Sequence, residues 1–355
     1  MKKIVMTGGG TAGHVTPNIA LFPRLKEIGY DIHYIGSYNG IEKGLIEDQG
    51  IKYYGISSGK LRRYLDVKNL TDPAKVVKGY FEARKLLKKI KPDIVFSKGG
   101  FVAVPVVLAA KNCKIPVIIH ESDITPGLAN KLAIPSASKV CCNFPETLKH
   151  LPEGKAVLTG SPIRKELFSG SREKALNFTG LKGHKPVLLI MGGSTGSKFI
   201  NETIRRQLPT ILQTYDVIHL CGKDHLDPTL NQQNGYLQYE YISQELPDLL
   251  ALADMVISRA GANAICELLA LKKPNILIPL SASASRGDQI LNAKSFAKQG
   301  FSYVLDEDTM TDQQLLEAIE TVRKKKAQYV TAMNESKQMN PINTILELIV
   351  KTAKK

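Results

Sequence analysis

The sequence predicts an α/β protein made of two doubly wound parallel-sheet domains in tandem. Three observations carry this. Short runs rich in Ile and Val alternate with amphipathic helical stretches, the pattern of parallel strands joined by crossover helices. Several of the runs, such as Val187-Leu188-Leu189-Ile190 and Ile276-Leu277-Ile278, are continuously apolar, as strands covered on both faces are. The opening Ile4-Val5-Met6-Thr7-Gly8-Gly9-Gly10 is echoed by Val187-Leu188-Leu189-Ile190-Met191-Gly192-Gly193, a strand running into a glycine turn each time. A chain of 355 residues also exceeds the roughly 250–300 that one hydrophobic core serves well.

In chain order, strands are expected at 2–6, 31–35, 52–56, 93–96, 116–119 and 139–142. A second set follows at 186–190, 215–219, 254–257, 275–278 and 301–304. Helices are expected at 15–28, 73–90, 102–110, 198–207, 261–270 and 288–299. On the helix over 73–90, Val76, Val77, Tyr80, Leu87 and Ile90 are expected to form the buried stripe. The polar stretch from Gly160 to Gly183, marked by Pro and Gly, sets the boundary. The expected domains are 1–160 and 161–340, with a basic amphipathic helix over 341–355. Doubly wound sheets bind ligands beyond the carboxyl ends of their strands, so the site is expected in a cleft between the two.

Composition is that of a globular protein, with 43% apolar and 23% charged residues. No apolar run approaches the roughly 20 residues of a membrane span. The apolar start is too short for a signal peptide, so a cytosolic chain is expected. The five cysteines (113, 141, 142, 221 and 266) form no metal-ligand spacing and are expected to be reduced structural thiols. Net charge is +15 and unevenly placed: residues 1–160 hold 24 basic and 13 acidic residues, and residues 52–91 alone hold 12 and 3. One face of the first domain is therefore strongly positive, which suits nucleic acid, an anionic membrane or an anionic substrate. Nucleic acid is disfavoured, because no recognised binding module appears and the chain has no Trp for stacking.

Gly8-Gly9-Gly10-Thr11-Ala12-Gly13-His14 satisfies G-x-G-x-x-G between a strand and a helix. A dinucleotide reading needs an acidic residue ending the second strand. Here that strand ends in Gly36-Ser37, so the loop reads instead as backbone that approaches a pyrophosphate or sugar, beside the helix N-terminus. His14 at that N-terminus is either a neutral general base or a packing residue. Ser97-Lys98-Gly99-Gly100 forms a second glycine turn at the same sheet end, and Gly192-Gly193-Ser194-Thr195-Gly196 a third with hydroxyl donors. Arg164 can swing over a phosphate. Ser258-Arg259-Ala260-Gly261-Ala262-Asn263-Ala264-Ile265-Cys266-Glu267 is a small-residue turn opening a helix, from which Glu267 can accept ribose hydroxyls. Gln289 and Asn292 share a helix face suited to sugar hydroxyls or to solvent. Asp306-Glu307-Asp308 is expected to cap the next helix rather than hold a metal.

These motifs, with His120-Glu121, Gly127-Leu128-Ala129-Asn130-Lys131 and Gln289-Ile290-Leu291-Asn292-Ala293, occur in an order that resembles the MurG family of bacterial glycosyltransferases, within glycosyltransferase family 28. The resemblance covers about residues 1–335. It implies the GT-B fold, two Rossmann-like domains facing a cleft. It further implies an inverting enzyme that moves N-acetylglucosamine from UDP-N-acetylglucosamine to the undecaprenyl-pyrophosphate-linked muramoyl-peptide precursor of peptidoglycan. The nucleotide sugar would be a co-substrate, with no cofactor and no metal. Carried over by position, the donor contacts would be Thr11, Ala12, Gly13, Arg164, Ser194, Ile242, Gly261, Ala262, Asn263, Ala264, Ile265, Glu267 and Gln289. The acceptor contacts would be Gly9, Gly10, Lys98, Gly99 and Gly100, with His14 the base. The implied place is the cytoplasmic side of the cell membrane, peripherally on its anionic inner leaflet, with other cell-wall synthesis proteins as partners. This chain departs from the common pattern at Ala12, at Ser122-Asp123 and at Asp288. Another sugar-nucleotide enzyme of that fold, a UDP-N-acetylglucosamine 2-epimerase or a diacylglycerol glucosyltransferase, is the alternative, and a non-catalytic basic binding protein is a third.

Overall fold

The computed structural model describes residues 1–59, 68–193, 195–336 and 341–354, with backbone alone for 68–71. It contains two compact units, Met1–Arg164 with Gln338–Lys355, and Lys165–Lys337. The basic residues Lys60, Arg62 and Arg63 lie outside the described residues.

The first unit is a seven-stranded parallel sheet of β1 (Lys2–Thr7), β2 (Tyr30–Ser37), β3 (Lys52–Ile56), β4 (Ile94–Ser97), β5 (Val117–Glu121), β6 (Lys139–Cys142) and β7 (Ala156–Leu158). Their order is β3-β2-β1-β4-β5-β6-β7. Helices α1 (Thr16–Glu27), α2 (Ile41–Glu47), α3 (Lys68–Ile90), α4 (Ala103–Asn112) and α5 (Leu128–Ala133) connect them. Alternation along the strands explains the two apolar layers. Val5, Ile35, Val95 and Ile119 face Ala83 and Leu87 of α3 and Val106 and Val107 of α4. Ile4, Ile32, Ile94 and Ile118 face the other way, onto Leu21, Phe22 and Leu25 of α1. Register is pinned at Ile4, which pairs with Ile32 on one side and Ile94 on the other.

The second unit is a six-stranded parallel sheet of β8 (Val187–Met191), β9 (Asp216–Leu220), β10 (Tyr236–Tyr239), β11 (Met255–Ser258), β12 (Asn275–Leu277) and β13 (Tyr303–Val304), ordered β10-β9-β8-β11-β12-β13. Its helices are α6 (Arg172–Thr179), α7 (Lys198–Ile211), α8 (Leu246–Leu252), α9 (Ala262–Ala270), α10 (Asp288–Lys298), α11 (Asp312–Lys324) and α12 (Lys326–Asn334). Leu188, Ile190, Val217, Ile257 and Ile276 pack against Ile200, Ile204 and Leu208 of α7 and Leu315, Ile319 and Val322 of α11.

The last helix, α13 (Pro341–Thr352), buries its apolar face in the first unit. Ile345, Leu346 and Ile349 join the layer of Leu21, Phe22 and Leu25. Behind them the Lys354 amide donates to the Asp93 carbonyl at 3.1 Å. Among the described residues no helix is long and apolar enough to cross a membrane. None of the five cysteines is in a disulfide, and burial pushes the Cys141 and Cys142 thiols up to about 12.

Two expectations are corrected. Val77 is not in the buried stripe of α3: it is 57% exposed, and Phe81 one turn on is 60% exposed. Gly79 takes the inward position instead, because the helix backbone lies against Ser57, whose carbonyl oxygen would be 2.1 Å from a Cβ at Gly79. The acids before α11 do not cap it. Thr311 does, in a capping box with Gln314, while Glu307 and Asp308 turn toward Arg259 and Ser281.

Candidate active site

In the first unit the glycine turns after β1 and β4 lie against each other. Gly10, Gly99 and Gly100 all adopt positive φ, at 85°, 92° and 83°. A Cβ on Gly100 would fall 2.3 Å from the Gly9 carbonyl oxygen. Gly8 is held from below, where the Tyr34 hydroxyl donates to its carbonyl at 2.8 Å and receives the Asn18 amide at 3.1 Å. A single 3₁₀ turn, Ala12–His14, then leads into α1. Thr11 and Ala12 are exposed, and Gly13 and His14 half-buried. The Thr11 hydroxyl and His14 Nδ1 are 3.1 Å apart. A proton on Nδ1 donated to Thr11 leaves the imidazole lone pair on Nε2, the form a base needs.

Beneath the second turn lies Lys98, only 1% exposed. Its ammonium donates to His120 Nδ1 at 2.7 Å and to the Ser122 hydroxyl. His120 in turn donates from Nε2 to the Gly160 carbonyl at 2.9 Å. Burial first, and the Lys98 charge second, hold the His120 pKa well below its usual value, so it is neutral and accepts from Lys98. Lys98 therefore supports the turn from underneath and does not project from it. The neighbouring Glu121 carboxylate organises the loop after β5, accepting from the amides of Ser122 (2.8 Å), Asp123 (3.0 Å) and Gly127 (3.2 Å) and from the Asn130 side chain (2.8 Å). Burial raises its pKa.

In the second unit the turn after β8 is compressed against the end of β9. A Cβ on Gly196 would fall 2.0 Å from the Cys221 carbonyl oxygen. Ser194 lies outside the described residues; Thr195 beside it is exposed. Ser197 caps α7, its hydroxyl accepting from the Ile200 amide at 3.3 Å. The same hydroxyl accepts from Arg259 at 2.6 Å, and the guanidinium continues to the Ile278 carbonyl (3.1 Å) and to Glu307 (2.6 Å). Glu307 then takes the Ser281 amide at 3.0 Å. One half-turn of polar contacts thus ties together the loops following β8, β11, β12 and β13.

Gly261 caps α9 with extended backbone and opens onto free space. The first amides of this helix have no intrahelical acceptors, which makes its N-terminus electropositive. Asn263, Ala264 and Glu267 lie on the half-buried face, whereas Ala262 and Ile265 point inward. Ile265 is fully buried and its amide is bonded to the Gly261 carbonyl at 3.1 Å, so it shapes this end through packing. Ile242 is half-buried in the loop after β10. Gln289, in the first turn of α10, accepts the Leu280 amide at 3.1 Å, which leaves its NH₂ group as the donor. Asn292 does not share an accessible face with it: Asn292 is fully buried and donates to the Ala260 carbonyl at 3.4 Å. Arg164 is the final residue of the first unit's N-terminal stretch; it is half-buried and its Nε has no hydrogen bond among the described residues. Glu42 is a buried carboxylate under the first glycine turn that motifs in the sequence do not reveal, because it stands 32 residues from Gly10.

Residues 4–142 match the glycosyltransferase family 28 N-terminal domain, and residues 187–349 the glycosyltransferase family 28 C-terminal domain. The chain is 66% identical over 349 residues, 98% of each chain, to the UDP-N-acetylglucosamine--N-acetylmuramyl-(pentapeptide) pyrophosphoryl-undecaprenol N-acetylglucosamine transferase of Lachnoclostridium phytofermentans. It is 62% identical, over all of both chains, to the transferase of the same name from Lachnospira eligens. The crystal structure of Acinetobacter baumannii MurG superimposes with a TM-score of 0.78 at 28% identity, covering 99% of this chain and 100% of that one. With strand–glycine–helix ends in both units and full-length similarity to these transferases, the chain belongs to the MurG family, glycosyltransferase family 28.

Proposed function

We propose that this chain transfers N-acetylglucosamine from UDP-N-acetylglucosamine to undecaprenyl-pyrophosphoryl-N-acetylmuramoyl-pentapeptide, forming the disaccharide-linked lipid precursor of peptidoglycan. The observation that carries this is end-to-end similarity to transferases of that name. In the proposed reaction, an acceptor sugar hydroxyl attacks the anomeric carbon of the donor with inversion. Its proton passes to Nε2 of His14, the bond to the diphosphate oxygen breaks, and UDP leaves with the electron pair. A well-placed general base contributes about 10²–10⁴-fold. The N-terminus of α9 presents amides where charge develops on the diphosphate, and Arg164 and Ser194 are its further proposed partners. Glu267 and the Gln289 amide group are the proposed holders of donor hydroxyls. The paired turns at Gly9–Gly10 and Gly99–Gly100 are assigned to the acceptor, with the buried Lys98 charge beneath them. The nucleotide sugar acts as co-substrate, and each proposed step is carried by this chain's own residues.

The proposed site of action is the anionic membrane surface. Val77 and Phe81, exposed one turn apart on α3, are flanked by exposed Lys75, Lys78, Lys85 and Lys88. An apolar pair among cations suits the headgroup boundary, where each Lys is worth about 1 kcal/mol near anionic lipid. The test of function is transfer of labelled sugar to the lipid-linked precursor, with UDP-glucose and UDP-N-acetylgalactosamine as controls. Conversion of UDP-N-acetylglucosamine without an acceptor would point to the epimerase instead, and transfer to diacylglycerol to the glucosyltransferase.

A further inference from the structure

Glu42, in the first turn of α2, is fully buried. All of its hydrogen-bond partners are donors. Oε1 accepts from the Ser37 amide at 3.0 Å and the Ser37 hydroxyl at 2.6 Å, and Oε2 accepts from the Gly10 amide at 3.2 Å. No cation pairs with it among the described residues. Three glycines from three segments make room for it. A Cβ at Gly9 would lie 2.5 Å from its Cδ, one at Gly40 2.2 Å from Oε2, and one at Gly36 2.9 Å from its Cγ. A buried carboxylate needs this degree of satisfaction, since desolvation is costly unless hydrogen bonds replace water.

We propose that Glu42 is a positioning residue for the first glycine turn, fixing the backbone from Gly10 onward and with it Thr11 and His14. The chemistry of the side chain supports this. Both carboxylate oxygens are acceptors, one for the end of β2 and one for the turn after β1. Glutamine offers one acceptor oxygen and one NH₂ group, so it would set a donor against either Gly10 or Ser37. Gly10 holds positive φ and His14 follows four residues later, so losing the Gly10 anchor displaces the segment that carries the imidazole. Catalysis is sensitive to such shifts, and about 1 Å of misplacement costs about 10²-fold. The inference rests on the reading of His14 as the base.

The experiment uses the full chain with UDP-N-acetylglucosamine and a water-soluble analogue of the lipid-linked acceptor. Glu42→Gln is expected to lower kcat by about 10²-fold, while binding of UDP alone by calorimetry, whose proposed contacts do not include the first glycine turn, stays within twofold of the parent. In a cycle with His14→Ala, Glu42→Gln should add little further loss, because both act through one segment. Gly40→Ala provides a second route. Its backbone is extended, so alanine is permitted there, and the new Cβ pushes the carboxylate away from Gly10 without removing it. It should lower kcat in the same direction, and it decides the matter if Glu42→Gln does not fold. A folded Glu42→Gln or Gly40→Ala with parental kcat overturns the proposal. If His14→Ala retains full turnover while Glu42→Gln does not, the base assignment fails and the anchoring of the turn stands through Thr11–Gly13.

Discussion

The carbonyl oxygen of Gly9 occupies the place that a side chain on Gly100 would need, 2.3 Å from its Cβ position. The two turns that end β1 and β4 therefore fit together only as glycine against glycine. Gly100→Ala meets both this backbone clash and its φ of +83°. It is expected to cost about 1–3 kcal/mol of stability and most of the activity. Urea denaturation and turnover measure the two, and an alanine variant of parental stability would show that the turns separate easily.

His14→Ala should lower turnover by about 10²–10⁴-fold while leaving UDP affinity unchanged, since the imidazole is proposed to act on the acceptor proton. Single-turnover kinetics at saturating substrates provide the check. Unchanged chemistry there would remove His14 from the mechanism.

Arg259 and Glu307 form an ion pair at 2.6 Å, with side chains only 11% and 12% exposed. Arg259→Ala strands the carboxylate and removes a donor from the Ser197 cap. The expected loss is about 3–5 kcal/mol, with weakened UDP binding because four loops of the second unit lose their common tie. A urea midpoint equal to that of the parent would contradict this.

His219 is buried between the Tyr236 hydroxyl (2.9 Å) and Asn201 (3.0 Å), and burial, with Arg205 nearby, lowers its pKa to about 3. The unfolded chain takes up a proton here as pH falls through about 6.5, whereas the native state resists until about 3. Its contribution is therefore fully present above about 6.5 and is lost progressively as pH falls toward about 3. His219→Gln should flatten stability against pH over that window; parallel curves would refute the assignment.

Phe81→Ser with Val77→Ser should weaken pelleting with anionic vesicles while leaving transfer to a water-soluble acceptor intact. High salt should weaken the parent's pelleting as well. Undiminished pelleting of the double variant at low salt would move the contact elsewhere.

The strands that lead into glycine turns, such as β1 and β8, were legible because burial on both faces makes them continuously apolar. The edge strands β7 and β10 were not. Ala156–Leu158 is short and half-buried, and Tyr236-Leu237-Gln238-Tyr239 carries no clean alternation. In the site, local motifs marked the turns, but the partners beneath them come from distant segments. Nothing near Glu42 in sequence announces a carboxylate under Gly10, and nothing beside Asn292 says that it turns inward to Ala260. Val77 departs from the expected stripe because helical periodicity carries no sign that Gly79 takes the inward place against Ser57.

The docking of α13 makes the second unit an insertion within the first: the chain leaves after Arg164 and returns to complete the layer of Leu21, Phe22 and Leu25. During synthesis that layer stays open until α13 has left the ribosome. A fragment ending at residue 164 should accordingly be aggregation-prone, and supplying the segment 341–355 as a separate peptide should restore its solubility.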